Sequence, residues 1–231
     1  MAAPHRQNRL AADDGWRCEL TTQLTIPGKF VVLEGLDGAG TTTQCERLCT
    51  WGQQNDFHTI ATREPTDNGW GRQARRALRG ELPLSPLALA FTFMADRAHH
   101  VGLLAEQSQP VNSLIVSDRY LFSYLAYQQT DAAKPLDWFI ETAQPLPLPD
   151  LTIYIDVPAE RCVERMQSGR SQVERFERLA TLQQVEAAYA RVIDAYESRC
   201  AIAWINGDRP MDAVEADVIQ AVQHMLAAAD K

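Results

Sequence analysis

Residues 35–42 read Gly-Leu-Asp-Gly-Ala-Gly-Thr-Thr. Glycines at 35, 38 and 40 let a backbone turn tightly enough for several N–H groups to converge on one anion, which is the chemistry of a phosphate-binding loop. The spacing fits G-x-x-x-x-G-K-[ST], so Gly35, Leu36, Asp37, Gly38, Ala39, Gly40, Thr41 and Thr42 form a candidate cradle for the phosphates of a nucleotide. Thr42 falls where the motif's hydroxyl meets Mg2+. The departure is Thr41, at the position of the motif's lysine. That lysine lies along the β- and γ-phosphates, and losing one preorganised contact of this kind costs about 10²–10³ in rate. Threonine supplies no charge. Another cation takes over, or the loop binds nucleotide without catalysis, or the motif is a coincidence.

Other residues suit the same chemistry. Arg63 and Arg119 follow short apolar runs, just past predicted strand ends, where open α/β sheets bind ligands. Two arginines there can grip a monophosphate with paired hydrogen bonds. Phe93 and Arg97 stand four apart on a predicted helix face, spaced to stack on a base and bond its edge; Phe93 equally suits a core. Asp37 inside the loop would repel a bare phosphate and so should face another group. Asp118 at a strand end suits orientation of Mg2+ or its waters, or pairing with a nearby arginine. Tyr120 and Tyr127 can wall an acceptor pocket, and Ser123 and Gln128 can hydrogen-bond a base or phosphate or simply face water. Residues 168–178 carry Arg170, Arg175 and Arg178.

These side chains need a scaffold. Phe30–Glu34, His58–Thr62, Ser113–Ser117, Leu151–Ile155 and Ala201–Ile205 read as buried strands. Helical patterns cover Thr41–Gln54, Gly71–Arg79, Pro86–Gln107, Leu121–Gln128, Ala159–Gln167, Arg178–Arg199 and Pro210–Ala228. Ser85 and Pro86 supply a cap and a first-turn proline. Strands separated by helices imply parallel pairing with right-handed crossovers, hence an α/β three-layer sandwich on a five-stranded parallel sheet. Residues 28–231 read as one domain, with residues 1–27 an irregular extension. The proline-rich run Gln144–Asp150 reads as a stiff loop.

Composition narrows the classes. The chain has 231 residues, is 45% hydrophobic and carries a net charge of −8. A core is available, and nucleic acid is a poor partner for an acidic chain. Only Lys29, Lys134 and Lys231 are lysines among the 22 basic residues, so arginine is the cation available for phosphate. The 5 cysteines show no C-x-x-C pair; Cys45 and Cys49 read as packed small side chains. No apolar run has the length of a membrane span, and no apolar signal core stands at the N-terminus, so a cytoplasmic location is expected.

Phe30 through Gln44 resembles the opening of thymidylate kinases, Thr41 apart. Thr62-Arg63-Glu64-Pro65, Phe93-Met94-Ala95-Asp96-Arg97-Ala98-His99, Ser117-Asp118-Arg119-Tyr120 with Ser123 and Ala126-Tyr127-Gln128, Pro149-Asp150-Leu151-Thr152, Arg175-Phe176-Glu177 and Asn206-Gly207-Asp208-Arg209-Pro210 resemble that family's motifs in order. The resemblance implies a P-loop nucleoside monophosphate kinase fold and transfer of phosphate from ATP to dTMP with Mg2+, giving dTDP and ADP. It implies that Arg63 and Arg119 hold the acceptor phosphate, that Phe93 stacks on thymine and Arg97 meets its carbonyl, and that Asp37 accepts from the sugar's 3′-hydroxyl. It makes residues 168–178 a lid whose Arg170 or Arg175 carries charge stabilisation, since the phosphate loop holds no arginine. It implies a homodimer through Pro86–Leu104. A catalytically impaired nucleotide-binding relative with a regulatory role, or a kinase for another nucleoside monophosphate or a deoxynucleoside, are the alternatives.

Overall fold

In the computed structural model, residues 25–108, 111–132, 134–167 and 179–229 are described. Alternation holds: β1 (Lys29–Gly35), α1 (Thr41–Gln54), β2 (His58–Arg63), α2 (Gly69–Leu78), α3 (Pro86–Gln107), β3 (Ser113–Asp118), α4 (Leu121–Ala132), α5 (Leu136–Ala143), β4 (Leu151–Asp156), α6 (Ala159–Gln167), α7 (Leu179–Tyr196), β5 (Ile202–Asn206) and α8 (Met211–Ala229). The strands form one five-stranded sheet in the order β2-β3-β1-β4-β5, and every pairing is parallel. Helices cover both faces. The α1 and α8 helices pack together on one, and α3, α4 and α7 form a continuous layer on the other.

The central strands bury nearly every residue because both faces are covered. A period of two along β1 sends Phe30, Val32 and Glu34 toward α4 and α7; the Phe30 ring meets Tyr120 edge-on at 5.1 Å between centroids. Glu34 is thus a carboxylate in an apolar layer.

Local chemistry sets the helix ends. Ser85 Oγ accepts from the Ala88 N–H at 3.2 Å with Pro86 at the first position, as expected. The α2 helix starts at Gly69, two residues ahead of the expected Gly71, because the Asn68 side chain accepts from the N–H groups of both Trp70 and Gly71. The α5 helix was not among the expected elements. It spaces Leu136, Phe139, Ile140 and Ala143 on one face and buries the last three, but its short pattern between Pro135 and Pro145 gives too few turns to read. Ile26 packs against the core. Cys45 and Cys49 are buried, and burial pushes the Cys49 thiol up to about 11. Among the described residues no helix is long and apolar enough to cross a membrane.

Candidate active site

The parallel register fixes the site. Leu33 pairs with Asp118, so Asp118 ends β3 beside the turn that follows β1. That turn enters α1 through Gly38 at φ 90° and Gly40 at φ 97°, both in the left-handed region that costs a side-chain-bearing residue about 1–2 kcal/mol. Gly38 is also confined: a Cβ there would stand 2.7 Å from the Cys162 carbonyl oxygen. Gly38→Ala is therefore expected to weaken ATP binding at least about tenfold. Titration of a fluorescent ATP analogue measures this; unchanged affinity would show that the loop is not what holds the donor.

Thr41 opens α1 and is buried. Thr42 Oγ1 donates to Asp118 Oδ2 at 2.5 Å, while Asp118 Oδ1 is buried with no partner among the described residues. A hydroxyl and a carboxylate with a spare oxygen, next to a phosphate cradle, are the hard oxygen donors that Mg2+ prefers. The residues present fit that ion. Among the described residues no group of three His, Cys, Asp or Glu side chains makes an all-protein metal cage.

Beside the loop lies a cavity of roughly 160 Å³ whose walls include Asp37, Phe93, Arg97, Arg119, Tyr120, Ser123, Tyr127 and Gln128. Phe93 and Arg97 do share one face of α3 and both reach it. Arg97 is 1% exposed. Its guanidinium meets Glu64 at 2.6 Å and the Tyr120 carbonyl at 2.6 Å, and lies over the rings of Tyr120 and Tyr124. Its Nε–H is left without a partner, a donor available to an occupant. Gln128, 1% exposed, has an unpartnered Oε1. Glu64 also meets His100 Nδ1 at 2.9 Å. Removing one member of such a buried pair strands the other charge, so Glu64→Ala is expected to destabilise the fold by about 3–5 kcal/mol. Urea unfolding tests this, and a loss under about 1 kcal/mol would mean the Arg97 charge is served by other groups.

Arg119 stands at φ 70°. Its guanidinium reaches Asp37 Oδ1 at 2.5 Å, the Gly35 carbonyl at 2.9 Å and Ser123 Oγ at 3.0 Å. Asp37 thus faces an arginine, as its place in the loop requires, and Tyr127 OH accepts from the Asp37 N–H at 3.2 Å. Two of the expected residues hold other partners here. Ser123, read as a hydrogen-bonding partner for a base or phosphate, has its hydroxyl taken up by Glu34, Tyr189 and Arg119. Arg63 does not join Arg119 in the cavity. It pairs with Asp67 at 2.8 Å across a half-exposed turn and lines a neighbouring cleft with Thr42 and Asp118. Asp118 takes a threonine hydroxyl rather than an arginine. Arg170 and Arg175 lie outside the described residues.

Sequence reasoning left four residues unassigned. Glu34 accepts from the N–H groups of Tyr120, Phe122 and Ser123; a carboxylate in an apolar strand was a visible signal. Glu64 stood inside a recognised motif without a role. Arg165 of α6 bonds the Gly207 carbonyl at 3.0 Å and the Ala39 carbonyl at 3.4 Å, tying the phosphate loop to the loop after β5. Tyr189 gave no signal, since a tyrosine at a core position of a helix is ordinary.

A parallel sheet in this order, with a glycine-rich loop after its central strand and a walled cavity at the strands' C-terminal ends, defines a P-loop nucleotide-binding protein of the kinase type. The family model described as thymidylate kinase matches residues 33–218. The chain is 33% identical over 207 residues to a probable thymidylate kinase of Thermococcus onnurineus, covering 85% of this chain and 98% of that protein. It is 32% identical over 205 residues to a probable thymidylate kinase of Pyrococcus abyssi (86% and 98% covered). It is also 32% identical over 213 residues to the thymidylate kinase of Clavibacter sepedonicus (88% and 98% covered). The chain belongs to the thymidylate kinase family.

Proposed function

We propose that the protein transfers the terminal phosphoryl group of ATP to dTMP, yielding ADP and dTDP for dTTP synthesis. The observation that carries this reading is the cavity beside the phosphate loop whose walls bring together Phe93, Arg97, Asp37 and Arg119. A base stacked on Phe93 meets the unpartnered Nε–H of Arg97 and the Oε1 of Gln128, while the acceptor phosphate lies toward Arg119. Arg63 approaches that phosphate from the neighbouring cleft when it releases Asp67. Asp37 accepts from the sugar 3′-hydroxyl.

On the donor side, residues 35–42 cradle the ATP phosphates with backbone N–H groups and the N-terminus of α1. Thr42 and Asp118 would hold Mg2+, partly through water, and the ion would supply charge neutralisation for the ATP phosphates. Phosphoryl transfer asks for alignment and neutralisation more than for covalent chemistry, so Arg170 or Arg175, from a lid over residues 168–178, supplies the charge that Thr41 lacks. Residues 28–231 act as one domain. We place the protein in the cytoplasm, where its buried free thiols Cys45, Cys49 and Cys162 stay reduced.

A panel of dTMP, dUMP, dCMP, dGMP and UMP under single-turnover conditions tests the substrate. The expected order has dTMP fastest; preference for a purine monophosphate would contradict the cavity assignment.

The assembly is a homodimer through α3. Phe91 is 51% exposed and Ala98, two turns on, is also exposed, leaving apolar positions open on a helix whose other face is buried. Sedimentation is expected to give a dimer that Phe91→Arg dissociates. A monomeric wild type at micromolar concentration would exclude it.

A further inference from the structure

One buried hydroxyl joins the donor loop to the acceptor arginine from a helix that neither site uses. Tyr189 of α7 is fully buried. Its OH lies 3.1 Å from Glu34 Oε2 and 3.1 Å from the Gly35 carbonyl, 2.8 Å from Ser123 Oγ and 3.3 Å from Arg119 Nη1. The same Gly35 carbonyl accepts from Arg119. Arg119 meanwhile keeps a left-handed backbone, a conformation that persists only where surrounding bonds over-determine it. Its backbone N–H donates to the Leu33 carbonyl at 2.9 Å, and its carbonyl accepts from Ser117 Oγ at 2.7 Å. Those bonds fix its Cα; the Tyr189 and Ser123 hydroxyls meet its guanidinium.

We propose that Tyr189 is a positioning residue: its hydroxyl, with Ser123 and Glu34, holds the Arg119 guanidinium against Gly35, so that the acceptor clamp and the donor loop keep one fixed spacing. The proposal rests on the thymidylate kinase reading for the identity of the acceptor. Burial raises the phenol well above its ordinary range, so the group remains a neutral donor at any assay pH. One proton cannot serve three acceptors at once. It goes to one of the Glu34 carboxylate, the Gly35 carbonyl and the Ser123 hydroxyl, while the Tyr189 oxygen accepts from Arg119.

The test is Tyr189→Phe, which removes the hydroxyl and keeps the ring against Tyr127 and Tyr154. kcat/KM for dTMP is expected to fall roughly ten- to a hundredfold, the loss of a hydrogen bond to a charged group, with KM for ATP within about twofold of wild type. In the Arg119→Lys background the same change should add nothing, because the group it acts through is gone. Unchanged kcat/KM, or a loss that multiplies in full with Arg119→Lys, overturns the proposal. Should wild type fail to phosphorylate dTMP, the functional reading falls, and the crystal structure of Tyr189→Phe decides this inference separately: an Arg119 guanidinium released from the Gly35 carbonyl supports it, and one still in place overturns it. If Tyr189→Phe does not fold, Ser123→Ala, which deletes the hydroxyl bridging Tyr189 and Arg119, takes its place in both measurements with the same expected outcomes.

Discussion

Arg119→Ala is expected to lower kcat/KM for dTMP by about 10³-fold or more, since an arginine that neutralises phosphoryl charge in a water-poor site is worth that much. Three features concentrate the effect. The guanidinium is among the few cations in the cavity wall, with the other, Arg97, held by Glu64. It is already desolvated and aimed by Asp37, Gly35 and Ser123, so it needs no reorganisation when phosphate arrives. Its loss also frees Asp37, whose unpaired carboxylate would repel an incoming phosphate. Arg119→Lys keeps the charge without the fork and should fall between wild type and alanine. Steady-state kinetics with dTMP as the varied substrate checks this. A tenfold loss or less, in a variant that still unfolds cooperatively, would place the acceptor phosphate elsewhere.

The second large effect concerns the charge that the phosphate loop does not provide. Arg170→Ala or Arg175→Ala is expected to reduce kcat by about 10²–10³ with a much smaller change in either KM, the pattern of a contact made in the transition state. On this proposal Thr41→Lys should then give little gain, because Thr41 is buried where α1 begins and a lid arginine would already supply the charge. A variant pair in which both alanines match wild type, while Thr41→Lys raises kcat by the same 10²–10³, would reverse the assignment.

The fold was legible from the sequence because each central strand is a continuous apolar run and each long helix carries its own cap or periodicity. Ser85-Pro86 announced α3; the glycines announced the loop. What escaped notice escaped for physical reasons. Two turns of α5 hold too few periods to read. Motif positions gave residue identity but not pairing: Arg63 and Arg119 looked alike in sequence, yet Asp67, four residues on in the following turn, draws Arg63 outward, while Asp37 and Gly35 draw Arg119 inward. The partners of Ser123 were out of reach because nothing in sequence shows that Glu34 and Tyr189, 89 and 66 residues away, converge on it. Buried polar clusters are built from long-range contacts, which a linear pattern does not encode.

The most direct measurement is transfer from ATP to dTMP by the unaltered chain, with and without Mg2+, followed as dTDP and ADP formed in equal amounts. The expected result is Mg2+-dependent turnover at an ordinary kinase rate, on the order of 1–100 s⁻¹, with Thr41 in place. Nucleotide binding without dTDP formation, restored by Thr41→Lys, would contradict it.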